Sequence, residues 1–556
     1  MRKQAYLLFD TIILGIIGAL GAELFRFLLK IFQKIFFDYI AKYSAPGLQS
    51  EGENLIEKIG PHGLWFIPIV LMIGGLISGF IVYQFAPEAE GHGTDTAVKA
   101  FHKQAGLIRK RVTPIKILAS AITIGSGGSA GREGPTALFS AGFGSIYADL
   151  LKRSEKERRL LVLIGMAAGL SAIFRSPIGT AIFAIEVLYT DMEFETSALI
   201  YTMLGSIIAY ALNAVLVGWE PLFHVPAYLS VNHFSSYAWY ILLGIASGII
   251  GVILPNVFYY TRDLFKKIPL KDHFKPAIGG LGVGLIALAF PQVLGGGYGW
   301  IQESINGQLA ISLLLILLFA KMIAFALTVS SGGSGGVFAP TLFVGAMLGG
   351  LFAAIFHQPP AAFAIVGMAA VFGSSARVPI ATLLMVTEMT GGYSLLVPAA
   401  LSVILGFYIQ DFLSAKFKVK YISLYEAQVR RQSYSQAHRT EHVKRALSIL
   451  RDQKKIDRAT LGKINLVPLL ESKIPINITE NEQLFLSELS KRSHCINTSV
   501  EERCLNKKNE DWKIISVIRN NDMLFPDPGL QLEAEDEILI LGSKESLKEI
   551  KKNFIK

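Results

Sequence analysis

Two glycine-rich segments hold the residues whose types and spacing can do chemistry. Residues 126–135 read SGGSAGREGP and residues 331–340 read SGGSGGVFAP. A phosphate-cradling loop needs Gly-Lys-Ser/Thr after its glycines, where the first segment has Arg132-Glu133. A dinucleotide fingerprint needs a preceding strand and G-x-G-x-x-G spacing. Neither fits. Small residues leading into a helix that starts near Pro135 leave backbone N–H groups free, a partial positive charge of about half a unit that binds anions without a full cation. The second segment offers the same donors at Gly336, Val337 and Phe338. Two such ends aimed at one point hold a desolvated monovalent anion loosely enough to release it, as conduction needs.

The copies differ where a switch would sit: Glu133 in the first is Phe338 in the second. A carboxylate beside an anion-binding helix end competes for the anion's place. Ionised it blocks; protonated or swung away it opens the path, which couples anion movement to protons. The plain alternative is a carboxylate that stabilises the helix dipole by ~0.3–1 kcal/mol.

The elements that position these segments form an internal repeat. Lys116–Thr136 (KILASAITIGSGGSAGREGPT) aligns without a gap on Lys321–Thr341 (KMIAFALTVSSGGSGGVFAPT), an offset of 205. Gly165–Leu188 aligns on Gly367–Thr390 at an offset of 202, pairing Arg175 with Arg377, Pro177 with Pro379 and Glu186 with Glu388. Apolar stretches recur from Ala5 to about Leu413, several of them too short for the ~20 residues that cross a bilayer. Short helices with glycine-rich ends are tolerated at membrane depth only where protein buries them or they line a wet cavity. Corresponding interrupted segments in two halves point to a transport site near the midplane. The expected fold is an all-α polytopic membrane protein with inverted repeats of broken, tilted helices, its halves at about 60–215 and 240–425, followed by a small α+β soluble domain.

Composition agrees. Of 556 residues, 52% are hydrophobic and 17% charged, against roughly 25% charged in soluble domains. Residues 431–556 hold 41 of the 96 charged residues. The chain therefore divides into a membrane domain at 1–430, a polar linker at 431–464 with one expected helix, and a tail domain at 465–556. In the tail, IISVIRN at 514–520 and EILILG at 537–542 alternate like strands, and the amphipathic SKESLKEIKKNF closes the chain. The two cysteines, Cys495 and Cys504, both lie in the tail and form neither a disulfide framework nor a zinc site. The formal net charge of +10 reads as the juxtamembrane basic bias of an inner-membrane protein, and no basic stripe interleaved with aromatics points to nucleic acid. The basic, apolar N-terminus, interrupted by Asp10, reads as a first membrane helix.

GREGP, the GVFAP partner and the two repeated halves resemble the CLC family of chloride channels and chloride/proton antiporters over residues 1–430. The resemblance implies a homodimer in which each subunit holds its own pore for chloride or a similar small anion, with protons as a possible second substrate and no cofactor. Glu133 matches the gating glutamate. Gly336, Val337, Phe338 and Ala339 match the segment whose amides touch chloride, and Arg132 and Gly134 flank the gate. A third family motif, usually G-S-G-I-P, matches Gly91-His92-Gly93-Thr94-Asp95. The central serine that hydrogen-bonds the anion is thus His92, which leaves chloride-over-nitrate preference open. His92 can donate an N–H, the amides of Gly93 and Thr94 can suffice, or His92 is a loop residue beside a helix cap. The pore tyrosine matches Tyr425, with Tyr421 as competitor and an interfacial tyrosine belt as the plain alternative.

Antiporters of this family carry a second, internal glutamate directly after the position of Glu186, and here that residue is Val187. The resemblance therefore leans to a gated chloride channel, with the antiporter as alternative. Asp191, Glu193 or Glu195 can relay protons instead, or simply form a solvated acidic helix end. Arg175 and Arg377 can face the anion path, or snorkel and pair locally. Residues 465–556 resemble the TrkA-C (RCK-C) module of potassium-transport regulators, with an insertion near 501–512. That implies a cytoplasmic regulatory domain with an unidentified small ligand; paired CBS domains fit the length poorly. An enzyme is not expected, since no nucleophile–base set or H-E-x-x-H spacing appears. A cation channel lacks its acidic rings or carbonyl filter.

Overall fold

The computed structural model describes residues 2–191, 195–226, 229 and 236–430. In the tail it describes 475–477, 482–489, 496–499, 512–519, 522–524, 527, 529–534 and 536–543. The expected linker helix, Cys495, Cys504, Glu193 and the closing amphipathic stretch lie outside these residues. Two compact units form, Met1–Gln428 and Val429–Lys556.

The first unit repeats one order of eight helices. Its first half runs α1 (Arg2–Gln33), α2 (Ile67–Phe85), α3 (Thr94–Lys103), α4 (Val112–Gly125), α5 (Glu133–Leu150), α6 (Glu155–Phe174), α7 (Pro177–Glu186) and α8 (Leu199–Val217). The second runs α9 (Ser236–Lys267), α10 (Lys275–Ala289), α11 (Tyr298–Ile305), α12 (Ile311–Ser330), α13 (Phe338–Phe356), α14 (Pro360–Ala376), α15 (Pro379–Thr390) and α16 (Leu396–Lys416). Seven segments among the described residues are long and apolar enough to cross a membrane, including α1, α2, α9, α12 and α13. Others, such as α7 with 10 residues and α15 with 12, are too short and sit inside the protein. That burial is what makes broken helices tolerable in lipid.

The halves meet through equivalent elements: α2 packs on α10, α7 on α15, and α5 touches α13. Glycine lets the backbones approach. A Cβ on Gly75 of α2 would lie 2.3 Å from the Pro276 carbonyl oxygen, and one on Gly280 of α10 would lie 2.3 Å from that of Leu71. The α5–α6 pair and its copy α13–α14 close in the same way. Cβ atoms at Gly165 and Gly367, equivalent in the repeat, would each meet a carbonyl oxygen at 2.3 Å.

The helix ends repeat too. Arg175 and Arg377 end α6 and α14 in the left-handed conformation, at φ 55° and 56°, and proline opens the next helix in both halves. The carboxylate of Glu186, ending α7, accepts from the amides of Ile380 (3.2 Å) and Ala381 (2.7 Å) at the start of α15. Glu388, in the last turn of α15, accepts from Ser176 Oγ (2.6 Å) and the amides of Ile178 (3.2 Å) and Gly179 (2.9 Å) at the start of α7. Each carboxylate, Glu186 buried and Glu388 half-buried, satisfies orphan donors of the other helix. Asp10, which interrupts the apolar run of α1, is buried beside Arg153 at 2.8 Å and accepts from the Tyr147 hydroxyl at 3.0 Å.

Between α1 and α2 lies a loop with one short pair, β1 (Tyr43–Ser44) and β2 (Lys58–Ile59), and a single tight turn at Gln49–Glu51. In the second unit, β3 (Ile476–Asn477), β4 (Gln483–Glu488), β5 (Trp512–Arg519), β6 (Asp522–Leu524) and β7 (Glu537–Gly542) form an antiparallel sheet in the order β3-β4-β7-β5-β6. Its apolar face carries Phe485, Ile514, Val517, Ile538 and Ile540. The strand-like alternation at 514–520 and 537–542 thus corresponds to β5 and β7.

Candidate functional site

The two glycine-rich segments meet. The amide of Gly131 donates to the Gly336 carbonyl at 2.8 Å, and the amide of Gly336 donates to the Gly131 carbonyl at 2.7 Å. This bridge fixes the starts of α5 and α13 side by side. At each start a threonine turns back on the residue before the helix: Thr136 Oγ1 donates to the Arg132 carbonyl at 2.8 Å, and Thr341 Oγ1 to that of Val337 at 2.7 Å. The first N–H groups of both helices have no acceptor within their own helix and share one small volume. No Cβ fits there: one on Gly134 would lie 2.2 Å from the His92 carbonyl oxygen and 2.9 Å from Gly336 Cα.

Glu133 is 2% exposed, and neither of its carboxylate oxygens makes a regular hydrogen bond. The carboxylate faces the amides of Glu133 and Ala339, plugging the space between the helix ends. In the second half the equivalent Phe338 is also buried, packed 4.4 Å from Phe174 and 4.3 Å from Phe372 between ring centroids.

A third strand of chain closes the volume. Gly91 and Gly93 take positive φ, 64° and 85°, and this turn brings His92 and the start of α3 against Gly134. The Gly335 amide donates to the Gly91 carbonyl at 3.1 Å. His92 is 6% exposed; its Nε2 lies 3.3 Å from Asp95 Oδ2, while its Nδ1 is buried with no hydrogen-bonding partner. Its ring lies 5.5 Å from that of Tyr425. Tyr425 is 2% exposed, with the Thr94 hydroxyl within reach of its phenol. Tyr421 is engaged elsewhere, donating to Asp263 at 2.6 Å and stacking on Tyr259. His92, Gly93, Glu133, Gly134, Gly336, Val337, Phe338, Ala339 and Tyr425 are therefore gathered in one place.

The side chain of Arg132 is not part of that gathering. It forms a bidentate pair with Glu51, at 2.9 and 2.7 Å, and stacks over Tyr298. Only its backbone belongs to the helix start. Nor do the paired arginines face the pocket: Arg175 donates to the carbonyls of Glu220 and Ser50, and Arg377 to that of Thr190 and to Gln410. Asp191 lies 3.8 Å from Arg377, and Glu195 accepts from Tyr189 and Ser197.

Two lysines that open the repeated block hold the turns in place. Lys116 Nζ, fully buried, donates to the carbonyls of Ala89 (2.9 Å) and Gly91 (2.7 Å). Lys321 Nζ, equally buried, donates to Val293 (2.8 Å) and Gly295 (2.7 Å). The turns they hold, Pro87–Gly93 and Pro291–Gly297, form a third repeated pair, with positive φ at Gly295 and Gly297 matching Gly91 and Gly93. Sequence reading passed over both the lysines and this pair; the lysines' shared place at the head of the aligned blocks was the available signal.

The defining pattern of a family described as voltage gated chloride channel matches residues 74–411. This chain belongs to the CLC family. The pattern of the TrkA-C domain matches residues 486–555. Among known CLC proteins, the H(+)/Cl(-) exchange transporter ClcA of Salmonella agona (strain SL483) is 30% identical over 377 residues, covering 65% of this chain and 79% of that protein. ClcA of Salmonella newport (strain SL254) matches to the same extent. In fold, the chain is similar to a slow cyanobacterial Cl-/H+ antiporter, with TM-score 0.65 and 23% identity over 75% of this chain and 96% of that one. It is also similar to a CLC-type fluoride/proton antiporter, with TM-score 0.65 and 21% identity over 78% of this chain and 99% of that one. The protein is accordingly an integral membrane protein of CLC-type anion transport with a C-terminal TrkA-C domain.

Proposed function

We propose that this CLC protein exchanges chloride, or a similar small anion, for protons through the pocket between the starts of α5 and α13, with Glu133 as gate. The observation that carries the reading is the Gly131–Gly336 bridge, which aims two sets of free amides at the volume the Glu133 carboxylate fills. An anion replaces the carboxylate there when Glu133 is protonated or withdrawn. The amides of Gly93, Gly134, Val337, Phe338 and Ala339, with the side chains of His92 and Tyr425, are the ligands of this reading; the Gly336 amide, expected from the sequence as a donor, is spent on the Gly131 carbonyl. Donors without full charge hold the ion without trapping it.

Val187 is fully buried and carries no proton, which favours a passive channel. The relatives named as exchangers favour coupling instead, and a glutamate that must release its proton to reseal the path supplies the coupling step. Glu186 does not serve as the second proton site in this reading, because its oxygens bind the start of α15. The protein is read as residing in a bacterial inner membrane as a homodimer, with the TrkA-C domain cytoplasmic and regulatory.

The test is flux from liposomes holding the full chain, under a chloride gradient, with a proton readout. Uphill proton movement establishes exchange; chloride flux without it establishes the channel. Comparing chloride, nitrate and fluoride in the same vesicles sets the anion preference.

A further inference from the structure

Beside Arg132, away from the amide pocket, lies a cluster of cations centred on the Glu51 carboxylate, with Glu23 paired to Arg26 at 2.8 Å. Glu51, on the tight turn between β1 and β2, accepts both terminal nitrogens of Arg132. Arg26 Nε stands 4.0 Å from it, Arg175 donates to the neighbouring Ser50 carbonyl at 2.9 Å, and Lys30 donates to the Glu51 carbonyl at 3.3 Å. Arg26, Arg132 and Arg175 are each 5% exposed. Three buried guanidinium groups and one lysine thus face Glu51 and, nearby, Glu23 and Glu53. Next to the cluster is a cavity of about 110 Å³ lined by Arg26, Lys30, Glu51, Arg132, Tyr298 and Trp300 among others. Arg26 Nε, Arg132 Nε, the Tyr298 hydroxyl and Trp300 Nε1 are buried without hydrogen-bonding partners. Planar, bidentate guanidinium chemistry recognises anions, and unused buried donors are costly unless something accepts from them.

We propose that the Arg26–Arg132–Arg175 cluster is a second site for a small monovalent anion, outside the Glu133 pocket, and that Glu51 is its built-in competitor. Glu51 occupies the fork of Arg132; when its turn lifts, an incoming anion takes its place one residue from the gate. The turn is a single one ending on Gly52 at positive φ, and the arginines are the partners of the Glu51 carboxylate, while the Glu51 backbone is held by Lys30 and Leu48 and Ser50 by Leu222. The inference rests on the reading that anions pass beside Glu133.

The test uses purified full-length protein, unfolded thermally in chloride or in gluconate at equal ionic strength. A ligand that binds only the folded state raises the melting temperature. Wild type gains stability from chloride at the amide pocket alone. Glu51→Gln should gain at least twice that chloride-dependent rise, Glu51→Asp an intermediate amount, and Glu51→Gln combined with Arg132→Gln no more than wild type. In vesicles, Glu51→Gln should lower the half-saturating chloride on the Glu51 side several-fold. A Glu51→Gln protein that folds only in chloride also supports the site. Equal chloride dependence in wild type and Glu51→Gln overturns it, leaving an ion pair of structural value only. So does a Glu51→Gln protein that folds in neither salt together with no gain in Glu51→Asp. Because these readouts are separate from proton flux, a Glu133→Ala variant with unaltered pH dependence removes the gate reading without touching them.

Discussion

Gly131 and Gly336, 205 positions apart, exchange two backbone hydrogen bonds of 2.8 and 2.7 Å. That contact turns two separate helix ends into one pocket. It also explains the glycine at both positions: a Cβ on Gly131 would lie 3.0 Å from Ala339, and one on Gly336 would lie 2.7 Å from the Gly134 amide.

The gate assignment is tested by Glu133→Ala and Glu133→Gln. Both should abolish the pH dependence of anion flux, and both should uncouple proton movement, measured in liposomes between pH 4.5 and 7.5. A pH profile like that of wild type in either variant would falsify the assignment.

His92 is expected to tune which anion is preferred. Its Nε2 faces the Asp95 carboxylate and its buried Nδ1 has no partner within the protein, so an anion beside His92 meets a ring N–H at Nδ1, in place of a serine hydroxyl, when both ring nitrogens carry protons. His92→Ser should change the chloride-to-nitrate flux ratio several-fold while leaving the protein folded. His92→Ala should weaken chloride binding by about tenfold, the loss of one hydrogen bond to a charged group at about 1.5 kcal/mol, read by calorimetry.

Gly134→Ala places a methyl group 2.2 Å from the His92 carbonyl oxygen. Overpacking of this kind costs about 1–3 kcal/mol and should cut chloride flux at least tenfold, while the equivalent change at the open Gly91 should not, since nothing lies within 4 Å of its Cβ position. Gly91 is left-handed, so that control should lower stability modestly without altering selectivity.

Lys116→Met and Lys321→Met each remove a buried ammonium from two carbonyl groups, but the carbonyls of Ala89 and Gly91 at Lys116 keep a second donor, the Ser334 hydroxyl and the Gly335 amide. At about 1–3 kcal/mol per unsatisfied group, partly offset by removing a buried charge, a net loss of about 1–3 kcal/mol is expected for Lys321→Met and a smaller one for Lys116→Met. It should appear as a lower unfolding temperature in detergent, with the larger drop in Lys321→Met.

Glu51 gives a pH signature of its own. Burial pushes its carboxyl upward, but the Arg132 pair and the fields of Arg26 and Arg175 outweigh that and hold it at about 2, below the ordinary 4.5. A depressed acid stabilises the fold above its unfolded value and loses that contribution as pH falls through the folded one. The contribution should therefore be complete above about pH 4.5 and vanish toward pH 2. Melting temperatures of Glu51→Gln should be flatter than those of wild type across that window.

The aligned blocks at 116–136 and 321–341, with glycine, proline and a lone glutamate, marked the two helix starts that meet and the glutamate between them from sequence, because those features are local: a helix start and the residue in its first turn. The same holds for the membrane character and the strands of the tail, which follow from hydropathy and alternation. Tertiary structure decided what depends on distance in space. Arg132 looks like an anion ligand in GREGP, yet its side chain turns to Glu51, 81 positions away. Glu186 and Glu388 are visible in the sequence only as repeat equivalents, and the structure shows that each caps the other's helix. The resemblance favours Tyr425 over Tyr421 in the sequence, and the structure places the Tyr425 ring beside His92 while Tyr421 donates to Asp263. A side chain's partners are set by which backbones the glycine contacts bring together, and hydrogen bonds and ion pairs form only within a few ångströms. Spacing along a chain carries no such information once helices cross.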